Sequence, residues 1–280
     1  MALQPHVRFI PRLRARPDSK QDIVRTARRY GLLPLLCIGL LLAQAQAECL
    51  ITLGYNDDPI PPHIERAVPS AGPQGSAIEL VTQAAREQGC LIVWQRLPNL
   101  RVLHATIHQQ TDGALFYSWT KERSKALVYP QRNGLLDTSR RVTTLNYVLY
   151  RRQGSDVRWN GQTLTPHACV VGFNEGWSIG SYLDEQAIPH SGANDSEHNL
   201  KRLEKGRICA YATLEESGDA AIAHFPGRFE KLPIPLLRKD YFLIFNPFYY
   251  QQHGPQVEQL WNKIGQLRDA RISRPASESE

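Results

Sequence analysis

Short apolar runs alternate with helical patterns along most of this chain, and that alternation limits the fold more than any other feature. Residues 49–55 read as a strand, residues 78–87 as an amphipathic helix stopped by Gly89, and residues 91–94 as a second strand. Residues 100–109 give a second helix with Leu100, Leu103 and Ile107 on its apolar stripe, and residues 113–116 a third strand. After the polar segment 137–141 the pattern restarts. Strands are expected at 147–150, 170–173, 208–212 and 240–245. Helices are expected around 179–183, from the capping-box sequence Asn194-Asp195-Ser196-Glu197 to Lys205, and over 256–268. Such alternation predicts an α/β protein with largely parallel sheets and ligands outside the carboxyl ends of the strands. The polar tail 273–280 is expected to stay unstructured.

Residues 1–30 are rich in arginine, residues 31–42 form a short apolar run, and Ala43-Gln44-Ala45-Gln46-Ala47 follows. This is the order of a secretory signal peptide cleaved after Ala47, and the apolar run is short for a membrane span. Arg28-Arg29 leaves open whether export is general or twin-arginine. Removing residues 1–47 takes eight of the 33 basic residues and two of the 27 acidic ones, leaving 25 of each. The mature chain is formally neutral, so no basic surface calls for nucleic acid. Four of the five cysteines remain, Cys49, Cys90, Cys169 and Cys209. An even number in an exported chain implies two disulfides, with three pairings open. If the apolar runs that hold them are neighbouring strands, Cys49–Cys90 and Cys169–Cys209 is the natural choice.

The chemistry concentrates in residues 112–123, Asp-Gly-Ala-Leu-Phe-Tyr-Ser-Trp-Thr-Lys-Glu-Arg. A buried strand runs into Ser118 and Thr120, and Thr120 can cap a helix beginning at Lys121. Arg123 then adds a planar cationic fork suited to a carboxylate. Strand end, hydroxyls, helix N-terminus and arginine together make an anion-binding corner. Tyr117, Trp119 and Trp177 can stack on an apolar part of a ligand. Gly176-Trp177-Ser178-Ile179-Gly180 has the spacing of a nucleophile elbow, but Phe173-Asn174-Glu175 intervenes where the sharp turn should stand. His104 and His108 have helical metal-ligand spacing with no third ligand near, so no metal or other cofactor is expected.

These pieces, in this order, resemble the extracytoplasmic solute-binding proteins of ABC importers, family 3, which includes the polar amino-acid receptors. The resemblance rests on Leu53-Gly54-Tyr55-Asn56-Asp57-Asp58 with Pro61-Pro62, and on Gly75 to Gly89 with Glu79-Leu80 and Ala84-Ala85. It continues through Leu97-Pro98 with Arg101, Asp112-Gly113-Ala114 to Arg123, Tyr129-Pro130, Val171-Gly172 with Gly176, and Leu203 with Gly206-Arg207. It implies a type II periplasmic-binding fold: two α/β lobes joined by a two-strand hinge, with a ligand cleft between them. Lobe 1 would comprise residues 48–145 and 242–280, and lobe 2 residues 146–241.

By the same resemblance, Arg123 clamps a ligand carboxylate beside Ser118 and Thr120, while Tyr55, Asp57 and Asp58 line the cleft from the same lobe. Trp177 and Ser178 meet the ligand from the other lobe. The acid that grips an α-ammonium in the family falls at Leu214 here, with Glu215 next to it. His63 and Cys209 also depart from the usual aromatic and Asp. The implied protein is a monomeric, non-enzymatic periplasmic receptor that hands a small carboxylate-bearing solute to an ABC permease. Two alternatives share the fold: a dehydratase of prephenate-like acids using Glu175 or Glu215 as general acid, and a ligand-sensing signalling module.

Overall fold

The computed structural model describes residues 49–68 and 71–273. The expected signal peptide and tail residues 274–280 lie outside these. Glu48–Glu280 forms one compact unit.

The chain opens with strand β1 (Cys49–Asn56), helix α1 (Ser76–Arg86), β2 (Cys90–Leu97), α2 (Asn99–Ile107) and β3 (Gly113–Ser118). A small hairpin follows, β4 (Gln131–Arg132) with β5 (Leu135–Leu136), and then the long strand β6 (Thr143–Arg152). A second hairpin, β7 (Arg158–Trp159) with β8 (Leu164–Thr165), precedes β9 (Val171–Asn174), α3 (Ile179–Glu185), β10 (His190–Ala193) and α4 (Ser196–Glu204). The chain continues through β11 (Ala210–Leu214), α5 (Glu215–Ile222), β12 (Phe229–Lys231), β13 (Leu237–Phe245) and α6 (Pro247–Ser273).

Strand pairing repeats one pattern twice. In the first half the order is β2-β1-β3-β13-β6, and in the second it is β10-β9-β11-β6-β12. Within each half the first three strands are parallel and the fourth runs against them. The two patterns share β6 and are joined through β13. Thr143 to Tyr147 of β6 pair with β13, and Tyr147 to Arg151 pair with β11 on the other edge. β13 pairs with β6 through its first part and with β3 through its second. β6 and β13 are therefore the crossing strands, and two α/β lobes face each other across them.

Sequence pattern explains most of these elements. α1 buries Ala77, Ile78, Leu80, Val81, Ala84 and Ala85, a stripe of helical period. α2 differs from its expected face: Leu100 and Ile107 are exposed, while Val102, Ala105 and Thr106 are buried. A Cβ on Gly54 of β1 would lie 2.9 Å from Val102 Cγ1. The helix packs so close to the sheet that only smaller side chains fit between them. α6 begins well before residue 256 and kinks at His253, two residues ahead of Pro255, which cannot donate the helical hydrogen bond. Trp261 of α6 is fully buried and donates to Leu243 O at 2.7 Å.

Both disulfides join neighbouring strand ends. Cys49 and Cys90 face each other in the β1–β2 register with Cα atoms 4.5 Å apart, and the Cα atoms of Cys169 and Cys209 are 5.5 Å apart. No helix among the described residues is long and apolar enough to cross a membrane.

Candidate functional site

A bulge shapes the end of β3. Pairing with β13 slips by one residue at Phe116, which takes φ 76°, a conformation that few bulky residues adopt. The ring of Phe116 stacks on Tyr241 at 4.9 Å. Beyond the bulge Ser118 ends the strand, and the Thr120 hydroxyl accepts the Arg123 N–H at 3.2 Å. The expected helix from Lys121 is only a single 3₁₀ turn, Arg123–Lys125. It ends early because Val128 is drawn into a two-way backbone bridge with Phe245.

Arg123 is partly buried and its fork spans the two lobes. One Nη donates to Ser118 O at 2.8 Å, and the other reaches Gly176 O of the second lobe at 2.6 Å. Its guanidinium also lies over the Tyr117 ring at 5.2 Å. Ser118 Oγ donates to Ser178 Oγ at 2.7 Å, and the Tyr241 hydroxyl donates to Tyr147 Oη at 3.0 Å. Tyr147 and Ser178 hydroxyls are 3.4 Å apart. Lys239 on β13 is held down to about 8, chiefly by burial and then by the charge of Arg123. The Arg123 cation and several hydroxyls thus meet where the crossing strands meet the cleft.

Arg123, Ser118, Trp177, Ser178, Tyr147, Tyr241 and Asn99 line a cavity of only about 20 Å³. That is room for about one water. The cleft is shut around it by further ties between the lobes. Asn99 Nδ2 donates to Glu175 O at 3.2 Å, and Ser217 Oγ to Pro59 O at 3.1 Å. Gly176 supports this closure with φ 75°, and a Cβ there would meet Leu100 Cδ2 of the other lobe at 2.5 Å.

A second cavity of about 940 Å³ opens beside the first, with Asn99 in both walls. Six carboxylate residues line it, Asp57, Asp58, Glu65, Glu175, Asp195 and Glu197, against Arg66 and His224. Asp58 crosses the cleft: its Oδ2 accepts from Asn174 Nδ2 at 2.8 Å and Ser196 Oγ at 3.0 Å. Burial pushes its carboxyl up to about 6 against the opposing hydrogen bond from Ser196, with Asp195 and Asp57 adding to the rise.

Tyr55, Trp119, Thr120 and Glu215 stand apart from both cavities. Tyr55 is buried with its ring edge-on to Trp94, 5.8 Å between centroids. Trp119 is exposed, and Thr120 acts through its cap alone. Glu215 pairs with Lys231 at 2.6 Å and accepts from Asn146 at 3.2 Å. Those contacts, Lys231 first, hold its carboxyl below the ordinary range. Ser178 has ordinary backbone angles and bonds two hydroxyls rather than a histidine, so the elbow spacing is coincidental. The rings of His104 and His108 lie tilted with centroids 4.1 Å apart, and no group of three metal-ligand residues forms among the described residues. Sequence reading missed Asn99, Tyr147 and Tyr241. The two tyrosines were within reach, because both lie on runs already marked as strands.

No protein-family model matches the chain, and no curated protein matches it by sequence. Solved structures do match in shape. A P235GK mutant of the arginine-binding protein ArgBP from T. maritima has a TM-score of 0.63 at 15% identity, over 81% of this chain and 91% of that one. An arginine 3rd transport system periplasmic binding protein from Legionella pneumophila scores 0.65 at 14% identity, over 80% and 96%. A histidine kinase sensor domain with similarity to periplasmic binding proteins scores 0.67 at 14%, over 81% and 94%. At such identities the likeness is one of fold.

Proposed function

We propose that the protein is an exported solute receptor that closes two lobes on a small carboxylate-bearing solute, with Arg123 as the anchor. The observation that carries this reading is the Arg123 fork, which donates to one carbonyl from each lobe. A ligand carboxylate offers the fork two acceptors that carry a full negative charge, and a bidentate ion pair adds a Coulomb attraction that neutral carbonyls lack. The acidic walls of the adjoining cavity favour a ligand whose far end is cationic. A basic amino acid meets both requirements, and arginine-binding proteins are among the similar folds.

In this reading β6 and β13 form the hinge. The lobe limits are 48–145 with 242–280, and 146–241. The receptor works in the periplasm as a monomer and delivers its solute to an ABC permease. The dehydratase alternative loses one of its two candidate acids, although Glu175 lines the larger cavity. Glu215 is held ionised by Lys231, the opposite of what a general acid needs.

A thermal-shift screen of the unit from Glu48 onward tests the proposal, against basic, neutral and acidic amino acids, dicarboxylates, polyamines and prephenate-type acids. A ligand at a hundred times its Kd should add roughly 2.7 kcal/mol, several degrees in Tm. Arginine or lysine should give the largest shift and be recovered unchanged. A shift with polyamines alone would remove the carboxylate anchor, and conversion of a hit would make the protein an enzyme. Uptake of the labelled hit into membrane vesicles tests the importer role.

A further inference from the structure

A third cavity of about 330 Å³ shares no lining residue with the two already described and has a different character. Arg141, Arg238, Arg268 and Arg271 line it together with His63, Thr143 and Thr144, and no carboxylate does. These residues come from both crossing strands and their approaches, from the end of α6 and, with His63, from the loop between β1 and α1.

Charge is the deciding feature. Arg268 is almost fully buried, pairs with Asp269 at 2.7 Å and donates to Ser139 O at 3.0 Å and to Arg141 O. Arg141 lies 3.5 Å from Asp240. Arg271 bonds only neutral acceptors, Gln83 Oε1 at 2.9 Å and Ser76 O at 3.3 Å. Neither Arg271 nor Arg238 has a carboxylate within ion-pair distance among the described residues. Four guanidinium groups against two carboxylates leave two positive charges around one concavity. Like charges gathered this way repel unless an anion joins them. The nearby N-terminus of α1 adds nothing, since the Ser76 and Ala77 N–H groups already bond Pro62 O and His63 O at 2.8 and 3.1 Å.

We infer that this cavity is a second ligand site, for a small free dianion of the phosphate class. Guanidinium forks and the Thr143 hydroxyl suit tetrahedral oxyanion geometry, and the residual charge matches a dianion. Bound there, the anion would link both crossing strands to α6. The site is independent of the cleft and stands whether or not the cleft holds a solute.

The test is calorimetric titration of the Glu48 unit with inorganic phosphate near pH 8, with potassium chloride at matched ionic strength as control. Saturable binding is expected with phosphate and none with chloride. The double variant Arg238→Ala/Arg271→Ala should bind about tenfold or more weakly. Both side chains are exposed, so the fold should survive, and buried Arg268 is left in place. Arg123→Ala should bind phosphate as the unaltered chain does. No saturable binding, an unaffected double variant, or loss confined to Arg123→Ala each overturns the inference. Co-sedimentation with phosphatidylglycerol vesicles but no binding of free phosphate would assign the site to a lipid head group and also overturn it.

Discussion

Arg123 and Asp58 both reach across the cleft, but with opposite electrostatic consequences. Arg123 brings its charge to neutral carbonyls, so an incoming carboxylate improves its bonding. Asp58 is enclosed near other acids, so its ionised form is the disfavoured one. With its folded value near 6 and its unfolded value in the ordinary range near 4, the native state binds the extra proton between them. Stability should therefore rise as pH falls through about 6, and the penalty should be complete above that value. Asp58→Asn keeps an acceptor for Asn174 and Ser196 while removing the charge. It should raise stability at neutral pH by about 1–2 kcal/mol and flatten that part of the profile, read from melting curves between pH near 4 and near 7. A steeper profile would refute the assignment. The sequence announced Arg123, Ser118, Trp177 and Ser178 because each sits at a turn with recognisable local chemistry. It could not announce that Glu215 would turn to Lys231, 16 residues away and across a helix, since that contact depends on packing.

Strands were legible wherever an apolar run coincided with a buried position, and opaque elsewhere. β10 is His-Ser-Gly-Ala and is half-buried, with only the small Ala193 as an apolar mark. α5 begins Glu-Glu-Ser-Gly-Asp and owes its helical form to packing against β6 and β11 rather than to propensity. The α2 face was misjudged because the larger side chains lie outside and the helix approaches Gly54 closely. Gly54→Ala should then cost about 1–3 kcal/mol by overpacking against Val102, seen as a lower Tm; no change would mean α2 yields easily. The disulfides act at this scale too. Each spans about 40 residues, so replacing Cys169 and Cys209 by Ala should lower unfolding free energy by roughly 2–4 kcal/mol in urea titrations.

The whole molecule is a pair of similar strand patterns held shut by a few polar ties across one cleft. A 20 Å³ corner admits no solute, so capture requires the lobes to part and close again. Gly176→Ala tests that step. Its positive φ costs an alanine about 1–2 kcal/mol, and the new methyl meets Leu100 across the cleft. Small-angle scattering should show a larger radius of gyration for this variant, and an unchanged radius would show that Gly176 does not govern closure. The most direct measurement is calorimetric titration of the best ligand from the screen into the unaltered chain and into Arg123→Ala, with circular dichroism confirming the fold. Loss of two charge-assisted bonds predicts a drop of about 2–4 kcal/mol, roughly thirtyfold to a thousandfold in Kd. Equal affinity for the two proteins would contradict the account at its centre.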